Sequence, residues 1–215
     1  MSYNHGMFDL HQNERRLLRA LRTPEKIQNF LDTLPINFEN KGETCLSPRR
    51  VLRERTAHCM EGAMLAALAL RLQGHRPLVM DLRVTDADYD HVVALFTKSG
   101  HWGAISKTNH GTLRYRDPVY RSLRELALSY FHEYTVSDGR KVLRSYSRPV
   151  DLSQFDSLGW MTDEDDVFYI PHHIDDVQHY ALVSRAQIAI LRRADAMERR
   201  IGAELEWKNG KGERR

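Results

Sequence analysis

The sequence predicts an α+β fold, in which one buried helix packs on an antiparallel sheet. The helix evidence is the segment 59–73, which is apolar on almost every side, as in a helix inside a protein core, and which Gly74 is expected to end. The strand evidence is the shorter pattern that follows, with apolar segments at 77–84, 91–97 and 101–106 separated by polar turns. Links of hairpin length predict antiparallel pairing, because parallel strands need a long crossover. An arrangement of this kind belongs to the α+β class.

Two helices and a short helical turn are predicted before the central helix. Residues 9–21 place leucines at rough helical spacing. Thr23 caps a second helix, which has proline at its first position and ends at Pro35. Residues 37–44 are polar and predict a loop, after which Ser47 opens the helical turn.

The second half of the chain returns to a mainly helical pattern. Residues 122–132 predict a helix, 141–146 a strand, and the acidic segment 151–166 a loop. A last helix is predicted from Ser184, which caps it, to about Trp207. The pattern as a whole gives a Cys-bearing helix on a sheet with further helices flanking it.

Length and charge limit the possible classes of protein. A chain of 215 residues is within the range of one domain, here predicted over 1–207 with a disordered tail at 208–215. The net charge is +3, and because the arginines are spread along the chain, no nucleic-acid partner is predicted. The polar beginning and the lack of a long apolar run predict neither a secretion signal nor a membrane partner. Two cysteines in such a chain suggest reduced thiols in the cytoplasm.

The residues most suited to chemistry are Cys59 and His91. Cys59 stands where the central helix should begin, and the unpaired amides and positive dipole end of a helix N-terminus favour a thiolate. His91 stands where the second strand should begin, and a histidine within hydrogen-bond reach would complete a nucleophile–base pair. The structural alternatives are a buried cysteine acting as a small hydrophobe and a hydrogen-bonded core histidine. Cys45 lies in a polar segment without a cap or histidine and is interpreted as incidental.

The order and spacing of Cys59, His91 and the segment that Trp102 enters resemble the transglutaminase-like members of the papain-like cysteine superfamily. The resemblance covers residues 56–108. It implies a papain-like fold in which the cysteine opens a buried helix and the histidine opens a strand. It also implies an aspartate on the next strand, a few residues past the tryptophan, but this chain has Ser106 at that position.

Three residues compete for the role of the missing aspartate. The Ser106 hydroxyl could orient the histidine without adding charge. Asn109 could supply an orienting amide, as in papain-like proteases. Asp117 is a carboxylate further along the chain, in a segment that suggests a turn. A fourth possibility is that no third residue acts.

Two functions from different classes follow. The first is a cysteine enzyme that transfers or hydrolyses an acyl group at an amide or peptide bond through a Cys59 thioester, with a backbone N–H at the helix start for the oxyanion. Water as acceptor would make it a hydrolase such as a cysteine protease or amidase, and an amine would make it a transglutaminase. The second is a catalytically inactive domain of the same fold that binds a protein or peptide. A protein or peptide partner is expected in both cases, and the oligomeric state stays open.

No cofactor or metal is predicted. His172 and His179 would share a helix face with a carboxylate, an arrangement that suits zinc, but a helix N-terminus with acids in its first turn is preferred. His58 is expected to point away from Cys59 and to shape the entrance of the site. Several aromatic residues are interpreted as core, with a substrate cleft as the alternative: Tyr115, Tyr120, Tyr130, Phe131 and Tyr134.

Overall fold

The computed structural model describes residues 9–208, so the predicted tail lies, apart from Lys208, outside the described residues. The α-helices are α1 (Gln12–Ala20), α2 (Pro24–Asp32), α3 (Pro48–Glu54), α4 (Cys59–Leu72), α5 (Leu123–Leu128), α6 (Tyr169–Asp176), α7 (Arg185–Ala189) and α8 (Ala196–Gly202). The strands are β1 (Leu78–Val84), β2 (His91–Lys98), β3 (His101–Ile105), β4 (Arg116–Tyr120), β5 (Leu143–Ser147), β6 (Val150–Asp151) and β7 (His179–Ala181), and a 3₁₀ helix spans Leu152–Leu158.

The predicted α+β class and its antiparallel sheet are confirmed. Within residues 9–208 the sheet has seven strands in the order β4-β3-β2-β1-β5-β7, and β6 also pairs with β1. Every pairing between these strands is antiparallel, as the short links between β1, β2 and β3 predict. Within the same residues, each helix is too short or too polar to span a lipid bilayer.

Helix α4 lies in the core, as its sequence predicts. Every residue from Met60 to Leu70 is buried, and Gly74 ends the helix region with a φ of +91°, a value that glycine adopts without strain. Helices α1, α2 and α3 pack against α4 on one side, and β1 and β2 pack against it on the other. Gly62 is in such close contact with Lys107 that a Cβ at this position would collide with the lysine side chain.

Strand β2 is buried on both faces and separates two hydrophobic clusters. Val92 and Phe96 face the cluster that contains α4, whereas Val93 and Leu95 face the cluster that contains α5. Because side chains alternate along a strand, His91 falls on the same face as Val93. Its position at the beginning of β2 places it at the end of the sheet where α4 also begins.

Several predicted elements need correction. Asp117 lies in strand β4, not in a turn, and the helix predicted over 122–132 ends at Leu128. The segment 151–166 is not simply a loop, since it begins with the 3₁₀ helix whose first turn Asp151 caps. His172 and His179 do not share a helix, because α6 ends at Asp176 and His179 starts β7.

The last predicted helix is wrong in its extent. The structure has α7 and α8 in place of one helix over 184–207, and residues 190–195 between them are not helical. Ser184 does cap α7, but Asp195 accepts hydrogen bonds from the amides of Met197 and Glu198 and so starts a new helix. The amide of buried Ala194 donates to the Gly139 carbonyl, which holds the break in place.

Candidate active site

The structure brings Cys59 and His91 together at the border of the two clusters. Cys59 is the first residue of α4 and is partly exposed, and the side chains of His58 and His91 both act on its thiol and lower its pKa. His91 is only 5% exposed. A cysteine at a helix N-terminus beside two imidazole rings meets the geometric requirement for a nucleophile with a base.

Ser106 is the residue that contacts the other side of the His91 ring. His91 Nε2 lies 2.8 Å from Ser106 Oγ, and Ser106 Oγ donates its own hydrogen to the Leu113 carbonyl over 2.5 Å. Because the hydroxyl has one hydrogen and uses it on Leu113, Ser106 must accept from His91. Nε2 therefore carries the ring hydrogen in the neutral imidazole, and Nδ1 keeps the lone pair that can take the proton of the thiol.

The backbone of Ser106 is held by a side chain from α2. The Gln28 amide nitrogen donates to the Ser106 carbonyl over 2.7 Å, and the Ser106 amide donates to Gln28 Oε1 over 2.9 Å. The pair of bonds imitates the pairing of a neighbouring strand just where β3 ends. Ser106 is thereby fixed at its backbone by Gln28 and at its hydroxyl by Leu113.

His58 corrects an expectation from the sequence, since its ring contacts the thiol and does not point away. His58 precedes the helix as its N-cap, and Nδ1 accepts a hydrogen bond from the Met60 amide over 3.2 Å. Nε2 lies 3.1 Å from the Thr44 carbonyl and 3.4 Å from Glu61 Oε1. When the His58 ring is neutral, its hydrogen is therefore on Nε2, and the Nδ1 lone pair accepts from the Met60 amide at the beginning of α4.

The two histidines shift the acidity of the thiol. Burial by itself raises the pKa of Cys59, but the hydrogen bonds and charges of His58 and His91 outweigh it and hold that pKa well below its ordinary value. Burial lowers the pKa of His58, but the Cys59 sulfur and the Glu61 carboxylate raise it above its ordinary range. The site thus favours a thiolate paired with imidazolium.

His91 is better suited than His58 to act as the base. The raised pKa of His58 keeps its ring protonated at neutral pH, so this ring has no lone pair with which to take the thiol proton. His91 Nδ1 can take that proton without loss of the bond to Ser106, because the other ring nitrogen is the one that donates to Ser106. Of the two rings, His91 is therefore the one that can transfer a proton, and the charge of His58 stabilises the thiolate.

Glu61 fixes the beginning of α4 and the loop beside it. Its carboxylate is fully buried and accepts from the amides of Leu46 and His58 over 2.9 and 2.8 Å. Asn37 Nδ2 also donates to this carboxylate, over 3.1 Å at its shorter contact, and Thr44 Oγ1 donates to it over 3.1 Å. One carboxylate therefore holds both the N-cap residue and the segment that His58 contacts.

The other candidate residues do not contact His91. Asn109 faces the Trp207 backbone, whose amide donates to Asn109 Oδ1 over 2.7 Å and whose carbonyl accepts from Nδ2 over 3.1 Å. Asp117 is exposed on β4. Cys45 is buried, and burial raises the pKa of its thiol, as expected of an unreactive cysteine. Among residues 9–208, no group of three or more His, Cys, Asp or Glu side chains could hold a metal ion.

A cleft of about 260 Å³ opens beside the thiol. His58, Cys59 and His91 line one part of it, and the opposite parts belong to the β1–β2 loop, the segment after β3 and the segment after α5. These contribute, among others, Asp88, Tyr89, Asp90, Asn109, Glu133 and Tyr134. The cleft connects Cys59 with the surface of the protein.

Sequence reasoning missed the roles of His58, Glu61 and Gln28. The signal for the first two was present, since a polar residue followed three positions later by glutamate is the spacing of a capping box. Gln28 had no such signal, because its partner lies far along the chain. Comparison with models of known protein families and with curated proteins finds no match to this sequence.

Proposed function

We propose that this chain is a transglutaminase-like cysteine enzyme of papain-like fold, which transfers or hydrolyses an acyl group at an amide or peptide bond. The observation that supports this proposal is the hydrogen-bonded series from His91 through Ser106 to the Leu113 carbonyl, beside a helix-terminal Cys59 whose thiol pKa His91 lowers. A buried core cysteine has no need of a histidine whose tautomer is fixed for proton transfer.

The chemistry follows from the positions of the hydrogens. The thiol proton passes to His91 Nδ1, and the sulfur attacks the carbonyl carbon, so a C–S bond forms and the C=O pair moves to oxygen. When the oxyanion collapses, the C–N bond breaks and the leaving amine takes the proton from His91. Water or a second amine then attacks the thioester, assisted by the same histidine.

Ser106 replaces the charge of an aspartate with an oriented dipole. The hydroxyl donates to Leu113, so its oxygen is polarised toward His91 and is a better acceptor for Nε2–H. A dipole stabilises imidazolium less than a carboxylate does. His58 offsets part of this loss, because its charged ring stabilises the thiolate directly.

The proposed substrate is a protein or peptide, since the cleft is open at the surface and Tyr89 at its rim is 90% exposed. Both acceptor possibilities, water and an amine, share the thioester and stay within the proposal. The thiols of Cys45 and Cys59 are unpaired, which favours a reducing compartment, and we propose the cytoplasm.

Site-resolved alkylation tests the proposal. The rate of iodoacetamide labelling of Cys59, measured by peptide mass spectrometry across pH, should show a midpoint below the value of about 8.5 for a free thiol. His91→Ala should move that midpoint upward, and buried Cys45 is the internal control that stays unlabelled. A Cys59 midpoint at the free-thiol value, unchanged by His91→Ala, would contradict the proposal.

The second candidate is a binding domain without turnover, favoured by the uncharged Ser106 at the position where the resemblance implies an aspartate. It predicts a reactive thiolate that alkylates but forms no acyl intermediate. An activated ester such as p-nitrophenyl acetate separates the two functions, because its good leaving group removes any need for substrate recognition. Release of nitrophenolate with a mass increase of Cys59 supports the enzyme, and alkylation without acylation supports the binding domain.

A further inference from the structure

The hydroxyl of Tyr134 is a buried donor without a partner at the wall of the cleft. Tyr134 is 2% exposed, and among residues 9–208 its hydroxyl has no hydrogen-bond partner. An unpaired buried hydroxyl destabilises the folded protein, so its presence calls for an explanation. Most of its ring packs in the cluster that contains α5, which fixes the direction of the hydroxyl.

Tyr134 and Cys59 both line the cleft. The charges of Cys59, Asp88, Asp81 and Asp90 act on the Tyr134 hydroxyl, and all of these residues except Asp81 line the same cleft. The hydroxyl makes no hydrogen bond to the sulfur, so the two groups lie beyond direct contact. Burial raises the pKa of this phenol well above its ordinary value, so it keeps its hydrogen and is a donor at any neutral pH.

A second donor without a protein partner belongs to the residue that carries the thiol. The Cys59 amide is the first of α4, and no acceptor within residues 9–208 bonds it. Two unpaired donors beside one nucleophilic sulfur form a site for an oxygen that becomes negative as the sulfur attacks. The positive end of the α4 dipole adds to the same effect.

We propose that Tyr134 donates its hydroxyl hydrogen, together with the Cys59 amide, to the oxyanion of the tetrahedral intermediate. This inference rests on the proposed function and adds to it a residue that touches the reacting atoms. In the step, the sulfur–carbon bond forms and the carbonyl pair moves to oxygen, which accepts from Tyr134 and the Cys59 amide. The carbonyl is restored as the leaving group departs, and Tyr134 keeps its proton throughout.

The test compares Tyr134→Phe with the wild type in two reactions of the same thiol. Iodoacetamide alkylation forms no oxyanion and should be unchanged within about twofold. Acylation of Cys59 by p-nitrophenyl acetate passes through an oxyanion and should fall on the order of 10²-fold. Because the hydroxyl has no partner in the free protein, the melting temperature of Tyr134→Phe should not fall.

Tyr115→Phe is the matched control, since the Tyr115 hydroxyl is likewise buried without a partner among residues 9–208 but its ring stacks on Phe96 outside the cleft. It should leave both reactions unchanged. Equal acylation of Tyr134→Phe and wild type would overturn the inference and leave the proposed function standing. A parallel fall in alkylation, or a lower melting temperature, would also overturn it. Absence of acylation in the wild type would instead count against the proposed function.

Discussion

Ser106 Oγ accepts a hydrogen bond from His91 Nε2 over 2.8 Å while it donates its only hydrogen to the carbonyl of Leu113 over 2.5 Å. A carboxylate has no hydrogen to give, so an aspartate at this position would place a negative oxygen against the Leu113 carbonyl. Serine therefore suits this position, because its hydroxyl can donate to the Leu113 carbonyl. The carboxylate that the resemblance implies here would be repelled by that carbonyl.

Ser106→Ala tests this relationship. It leaves the buried Nε2–H of His91 and the Leu113 carbonyl without their partner, which should cost about 1–3 kcal/mol in the free energy of unfolding. The loss of the fixed tautomer should slow neutral-pH alkylation of Cys59 by about tenfold. Ser106→Asp should also destabilise the protein, because its carboxylate meets the Leu113 carbonyl.

Asn109→Ala is the control, because Asn109 lines the cleft but bonds Trp207 and not His91. It should lower the melting temperature and leave the alkylation profile of Cys59 unchanged. An Asn109 variant that changes thiol reactivity as much as Ser106→Ala would show that Ser106 is not the orienting residue.

Substitution of His58 separates the charge of its ring from the capping of α4. His58→Ala and His58→Asn both remove the ring charge, and only asparagine supplies a side-chain oxygen that can cap the helix. Both variants should raise the pKa of the Cys59 thiol, read from alkylation against pH, and His58→Asn should be the more stable by about 1 kcal/mol in urea unfolding. Acylation by the nitrophenyl ester should persist in both variants and be lost in His91→Ala. Equal loss of acylation in the His58 and His91 variants would contradict the assignment of His91 as the base.

Gly62→Ala tests the close contact at the beginning of α4. The added methyl group meets the Lys107 side chain in a fully packed region, and the expected cost is about 1–3 kcal/mol in the free energy of unfolding. Gly202→Ala is the matched control, since it lies in α8 with open space around the new methyl group and should be neutral or stabilising by up to about 1 kcal/mol. Equal melting temperatures for the two variants would show that the Gly62 contact relaxes without cost.

His179 predicts a pH dependence of stability away from the site. Nε2 lies 3.0 Å from Asp81 Oδ2 and Nδ1 2.8 Å from the Val177 carbonyl, and both nitrogens donate to these acceptors when the ring is charged. The Asp81 bond raises the pKa of His179, against burial and Arg83, which lower it. The pKa of His179 is higher in the folded protein than in the unfolded chain. Its contribution to the free energy of unfolding is therefore complete below the unfolded pKa of about 6.5 and is lost as pH rises through the folded pKa.

The measurement is the free energy of unfolding of wild type minus that of His179→Gln, from urea titrations between about pH 5.5 and pH 9. The difference should be largest at the acidic end and should shrink as pH rises. A difference that is constant over this range, or that grows with pH, would show that the ring is neutral in the folded protein.

The sequence predicted the parts of the site that depend on local pattern. The segment after Cys59 is apolar on every side and predicts α4, and the short apolar segment after His91 predicts β2. Each residue then lies at the beginning of its helix or strand. Ser106 was one of several alternatives, because only the folded sheet shows that it reaches the ring while Asn109 reaches Trp207. The spacing of the apolar residues does not predict the break before α8, because that spacing continues through it. The signal for the break is Asp195, whose side chain caps a new helix.

The pair of bonds between Gln28 and Ser106 joins residues 78 positions apart in the chain. Contacts of such long sequence separation form late, because a large loop must close before they contribute. The β2–β3 hairpin joins neighbouring segments, so His91 and Ser106 can meet before α2 docks. The backbone of Ser106 would then be fixed last, and a partly folded chain would carry the histidine and its hydroxyl partner without the support of Gln28.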